Sequence, residues 1–142
     1  MRLVLDTNVL VSALISPGGL PDQLLQRWEA DEFTLVSSKE QFDEIERVLG
    51  YKKLARFIRP DQTARLIANF QRFADFAGDL PELNASSDPS DNIIIATAIA
   101  GNSRHLVTGD KNDLLGLKEV EGVSIITVRE AIELLSAMRQ SP

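Results

Sequence analysis

A chain of 142 residues is the size of one ordinary domain and long enough to bury roughly 70% of its unfolded surface, so a single domain over residues 1–142 is expected, with no linker and no internal repeat. With 44% hydrophobic and 25% charged residues, no stretch is polar or repetitive enough to stay disordered. The absence of cysteine excludes disulfides and thiolate metal sites, the single histidine excludes paired-histidine zinc chemistry, and a net charge of −6 counts against a broad basic footprint for nucleic acid.

In chain order, Arg2 to Leu5 runs apolar over strand length and stops at Asp6. Val9 to Ile15 is apolar again and breaks at Ser16-Pro17-Gly18-Gly19. Because Asp6 and Asn8 interrupt the apolar N-terminus, it reads as structure and not as a leader peptide. Helical spacing follows through Leu20, Leu24, Leu25 and Trp28, and Phe33 to Val36 reads as a second strand.

Ser37 or Ser38 caps the next helix, with Glu40 or Gln41 placed to return the bond. Phe42, Ile45, Val48 and Leu49 give that helix one apolar stripe, Glu44 falls in its middle and Gly50 ends it. A helix from Pro60 is expected to bury Leu66, Ile67, Phe70, Phe73 and Phe76 before Gly78, with an exposed Asp79–Ser90 loop after it.

Asp88-Pro89-Ser90-Asp91 has the form of a helix start, and the helix body from Ile93 to Ala100 is apolar on nearly all sides. That body is far shorter than the roughly 18 residues of a membrane span. His105 to Thr108 and Val123 to Thr127 read as third and fourth strands, and Glu130 to Met138 as a final amphipathic helix. Short apolar strands alternating with helices imply an α/β fold, a single-domain α/β/α sandwich with a central parallel sheet of four or five strands. With no cysteine, no leader and no membrane span, a soluble cytoplasmic protein is expected.

The chemistry must then run on carboxylates. The first and third strands run into Asp6 and Gly109-Asp110, and in open parallel sheets ligands bind at the carboxyl ends of strands. Asp91, at the start of a helix packed on that sheet, is able to face the same rim from the side, and Glu44 is the fourth acid to seek there. Two carboxylates about 4 Å apart repel by roughly 4 kcal/mol at an effective dielectric near 20, so such a cluster calls for a cation. Hard oxygen donors without histidine or cysteine select Mg2+ or Mn2+, which activates water and neutralises charge on a phosphate under attack.

Each acid also has a plain structural reading. Asp91 is stabilised by the helix dipole by roughly 0.3 to 1 kcal/mol, Asp6-Thr7-Asn8 and Asp110 suit turns, and Asp43, Glu44 and Glu46 suit a solvated helix face. Their coincidence on one rim is what these separate readings do not predict. Lys52, Lys53, Arg56, Arg59 and Arg65 cluster with Asp61 as the only acid among them, forming either a solvated face or an RNA track.

The stretches Leu3-Val4-Leu5-Asp6-Thr7-Asn8-Val9-Leu10, Ser38-Lys39-Glu40 leading into Glu44-Ile45, Asp88-Pro89-Ser90-Asp91-Asn92 before Ile93-Ile94-Ile95-Ala96-Thr97-Ala98, and Val107-Thr108-Gly109-Asp110 resemble, in order, the acidic motifs of PIN-domain ribonucleases. The likeness spans nearly the whole chain and runs to bacterial members described as toxin components of toxin–antitoxin pairs. The resemblance implies a Mg2+- or Mn2+-dependent endoribonuclease with Asp6, Glu44, Asp91 and Asp110 as catalytic metal ligands and Asp113 as a further acid. It implies that Asn8 orients Asp6 and that Thr108 bonds the attacking water or a phosphate oxygen. Lys52, Lys53 and Arg56 are the candidate RNA contacts, and a homodimer and a small antitoxin protein the implied partners. Asp88 competes with Asp91, as cap or as ligand.

The alternatives are a catalytically inactive RNA- or protein-binding module of the same fold, and an aspartate-based phosphatase. The latter usually needs a second Asp two residues after the nucleophile, where this chain has Asn8.

Overall fold

A computed structural model describes residues 1–109 and 112–140. The order is β1 (Arg2–Leu5), α1 (Thr7–Ile15), α2 (Leu20–Glu29), β2 (Thr34–Ser37), α3 (Lys39–Leu49), α4 (Pro60–Phe73), β3 (Asp75–Phe76), α5 (Pro89–Ala100), β4 (His105–Thr108), α6 (Asn112–Gly116), β5 (Glu119–Val120), β6 (Val123–Thr127) and α7 (Val128–Gln140). The strands form one sheet in the order β3-β2-β1-β4-β6-β5, parallel except for the β5–β6 pair.

Successive side chains of a strand face opposite sides of a sheet, and both faces here are apolar. Leu3, Leu5, Leu35, Val107 and Ile126 meet α1, α2, α3, α4 and α7 on one side. Val4, Val36, Leu106 and Ile125 meet α5 and Leu114 on the other. This is the α/β/α sandwich the alternation of elements predicts. Gly101, at the end of α5, is pressed so closely on β2 that any side chain there would drive into Val36.

Two details differ from expectation. The sheet has six strands and not four or five, because the two-residue strands β3 and β5 add an edge on each side. β5 is turned back onto β6 through Glu121 and Gly122, both with positive φ (48° and 84°), the geometry of a tight two-residue hairpin turn. Secondly, the helix from Pro60 ends at Phe73, and Ala74 is extended. Phe76 therefore lies in β3, beside β2, and still reaches the aromatic rings of Phe42 and Phe70 at centroid distances of 6.0 and 6.2 Å. Phe73 is not buried as its spacing suggests. It is 60% exposed, with the Arg72 guanidinium 5.2 Å from its ring centroid.

Among the described residues, no helix is long and apolar enough to cross a membrane.

Candidate active site

The chain builds outward from β1 to β2 and β3, then returns to the other side of β1 to add β4 and β6. Strand order thus reverses between β1 and β4, and the crevice beyond their carboxyl ends is where an open α/β sheet offers a ligand site. Leu5 pairs with Val107 in that register, so the next residues, Asp6 and Thr108, stand side by side at the rim.

Asp6 is 5% exposed and occupies the cap position of α1, yet makes no side-chain capping bond. A capping bond is worth about 1 kcal/mol, so a buried carboxylate left out of that role is not explained by helix stability. Its Oδ2 accepts a 2.8 Å hydrogen bond from the Thr108 hydroxyl across the crevice. Asn8 fastens the start of α1 to the end of β4, its Oδ1 accepting from the Gly109 N–H at 3.3 Å. Thr108 thus donates one hydrogen bond that orients Asp6.

Glu44 comes from the middle of α3, and its Oε1 accepts a hydrogen bond from the hydroxyl of Thr7, the neighbour of Asp6. What sets α3 at that depth is a buried polar network. Ser38 caps the helix by accepting from the Gln41 N–H at 3.2 Å, and its hydroxyl shares a 2.8 Å bond with Thr97 of α5. Gln41 does not return the capping bond. Instead its Nε2 donates to the Leu5 carbonyl at 2.6 Å while its Oε1 accepts from Ser37 at 2.6 Å. One buried side chain therefore joins α3 to β1 at the residue before Asp6.

At the start of α5 the structure separates Asp88 from Asp91. Asp88 is exposed and accepts from the Ser90 N–H at 2.9 Å, so it is the cap. Asp91 is 3% exposed and accepts from the Ser86 hydroxyl at 3.2 Å. Asn92 positions Ser86 by clamping the preceding loop, accepting from the Ala85 and Ser86 N–H groups at 3.0 and 2.9 Å and donating to the Ser86 carbonyl at 2.8 Å.

Asp6, Thr7, Asn8 and Glu44 line one cleft of about 350 Å3, which Tyr51, Lys53 and Leu54 also line. Glu44 also borders a second cleft of about 260 Å3, which runs between α3 and the first turn of α5 past Arg47, Pro89 and Ser90. Lys52, Lys53 and Arg56 are exposed on the connection between α3 and α4, and Lys53 alone of the three lines the Asp6 cleft. Asp110 and the side chain of Asp113 lie outside the described residues. Sequence reasoning missed Tyr51, which sits in no periodic segment, and the supporting Thr7, Gln41, Ser86 and Asn92.

With this geometry in hand, the family is decided by comparison: a model of the PIN domain matches residues 2–112. The chain belongs to the PIN domain family. It is also similar to an uncharacterized protein of Methanocaldococcus jannaschii, 27% identical over 124 residues that cover 84% of this chain and 76% of the relative. No solved structure matches the chain. The PIN domain is a nuclease-type fold whose members are commonly metal-dependent ribonucleases.

The donors of this PIN domain suit a hard divalent cation in type. Asp6 and Asp91 are buried carboxylates, Glu44 lines the Asp6 cleft, and the sequence has no cysteine thiolate to compete with them. Among the described residues, no three Asp, Glu or His side chains stand close enough to hold an ion by themselves.

Proposed function

We propose that this PIN domain is a divalent-metal-dependent endoribonuclease, with Asp6, Glu44, Asp91 and Asp110 as the residues that hold Mg2+ or Mn2+ and Asp113 as an adjoining acid. The observation that carries the reading is Asp6: a buried carboxylate at the point where strand order reverses, excused from capping and oriented by Thr108.

The chain's own contributions follow from the contacts. Thr108, Thr7 and Ser86 each donate a hydroxyl hydrogen bond to one carboxylate, Asp6, Glu44 and Asp91 in turn, which fixes these side chains in rotamer. When bound, a divalent cation supplies an activated water and offsets the charge that gathers on the phosphate. Lys53, with Lys52 and Arg56 beyond it, supplies positive charge to hold the RNA backbone against an otherwise acidic rim. A phosphatase using Asp6 as nucleophile is disfavoured, since Asn8 carries no acid proton and its oxygen is engaged by Gly109.

Length and composition suit one domain over residues 1–142 and a cytoplasmic location, and the likeness to toxin components adds a homodimer and a small antitoxin that blocks the acidic cleft with an arginine, whose planar fork matches a carboxylate. Recovery of a small co-encoded protein on affinity purification from the native host checks the partner.

The reading predicts that the purified protein cleaves single-stranded RNA with Mn2+ and that EDTA stops it. Asp6→Asn is expected to abolish cleavage while leaving the thermal melt intact. Full cleavage by that variant contradicts the assignment.

A further inference from the structure

The cleft that Asp6 and Glu44 line is also lined by a partly exposed aromatic ring. Tyr51 is the one tyrosine of the chain, lies just after α3, and is 41% exposed, whereas the core aromatics Phe70 and Trp28 are 0% and 8% exposed. The Lys53 ammonium stands 5.6 Å from its ring centroid. An exposed cation–ring pair of this kind contributes little to stability on its own. Both line the same cleft as Asp6 and Glu44, whose volume of about 350 Å3 is at the small end of ligand sites.

We propose that Tyr51 and Lys53 form a nucleotide subsite of this cleft, in which an unpaired base of the substrate stacks on Tyr51 and the adjoining phosphate pairs with Lys53. The proposal rests on the nuclease reading and deepens it, because it says what the active site demands of the RNA. Every base offers a π-face, so stacking on one ring selects for an unpaired nucleotide without selecting its identity. A base inside a duplex is stacked on its neighbours and cannot present that face. The lysine's flexible four-carbon stem lets the ammonium leave the ring for a phosphate when the base arrives. Acids, a ring and a cation lining one cleft thus sort the parts of a single nucleotide unit.

Phe57 serves as an internal control. It is 60% exposed and also accompanied by a cation, the Arg56 guanidinium 6.0 Å from its centroid, but it does not line the cleft.

The experiment uses short single-stranded RNAs carrying 2-aminopurine at successive positions, mixed with the full chain in EDTA so that no cleavage occurs. Stacking quenches this base, and at least one position is expected to be quenched on binding. Tyr51→Ala is expected to remove that quenching and weaken binding about tenfold or more, while Tyr51→Phe and Phe57→Ala retain it. Lys53→Gln is expected to keep the quenching and lower the slope of log affinity against log salt by about 0.7, one single-strand phosphate contact. If the parent cleaves RNA with Mn2+ yet quenches no position, or Tyr51→Ala quenches as the parent does, the subsite is overturned and the nuclease reading stands. If the parent neither binds nor cleaves RNA, both fall.

Discussion

The two ends of the sheet carry clefts of different character. At the amino end, beside the first residues of β2, Trp28, Phe33, Arg65, Asn69 and Phe73 line a cleft of about 480 Å3, larger than the 350 Å3 cleft at the carboxyl end. The larger cleft has no buried carboxylate, since its acids, Glu29 and Asp31, are exposed. The smaller has Asp6 buried and Thr108 spent on holding it. The larger volume and the buried acid therefore lie at different ends. What separates the two is that parallel strands deliver their terminal side chains, and the gap left by a reversal of strand order, to the carboxyl rim only.

The sharpest way to break this comparison is to alter one residue at each end. Thr108→Val removes a hydroxyl and keeps the volume, and outer partners of this kind typically cost ten- to a hundredfold, so RNA cleavage should fall by about that factor. Phe73→Ser at the amino end should leave the cleavage rate unchanged. Equal losses from both would mean that the two clefts are not functionally distinct.

A smaller effect tests how the carboxyl rim is anchored. Gln41→Leu takes a partner from the Leu5 carbonyl and leaves the buried Ser37 hydroxyl only the long 3.4 Å bond to the Ser38 carbonyl, which should cost about 1–3 kcal/mol in urea unfolding. Because Leu5 precedes Asp6, cleavage by the fraction still folded should fall as well. Loss of stability without loss of activity would show that Gln41 serves the core alone.

The smallest effect belongs to the amino end of β4, where His105 sits with its Nδ1 buried and, among the described residues, without a hydrogen-bond partner. Burial, and then the nearby Arg104, hold its pKa below the ordinary 6.5. The unfolded chain therefore takes up this proton first, so the group's contribution is full above 6.5 and is lost as the pH falls below it. A modest fall in melting temperature is expected on acidification through that value, and His105→Gln should flatten it. An unchanged slope in the variant would remove His105 from the account.

Much of this was legible before any coordinates. β1, β4 and β6 are readable because each is an apolar run of strand length that stops abruptly, and their bounds agree with expectation. β3 and β5 were not, because two residues carry no periodicity and their pairing depends on which strand they land beside. The spacing of Phe70, Phe73 and Phe76 looks helical, but the chain leaves the helix after Phe73, and sheet pairing overrides the pattern.

For the site, Asp6 was legible as a strand-ending acid, whereas the choice between Asp88 and Asp91 was not. Both fit a first turn, and only the burial of Asp91 against Ser86 separates them. Gln41 looked like half of a capping pair because local rules cannot see that the Leu5 carbonyl lies within its reach. Tyr51 gave no signal at all, since a lone aromatic after a helix is informative only once a cleft is found beside it.

The central claim is that the buried acids Asp6 and Asp91 hold a divalent cation. A Mn2+ titration followed by electron paramagnetic resonance, run on the parent protein, Asp6→Asn and Asp91→Asn with each variant's fold verified by its melt, tests it without RNA. The account predicts stoichiometric loss of the free Mn2+ signal with the parent and affinity reduced by more than about tenfold in both variants. Equal binding by all three folded proteins, or none by the parent, would contradict it.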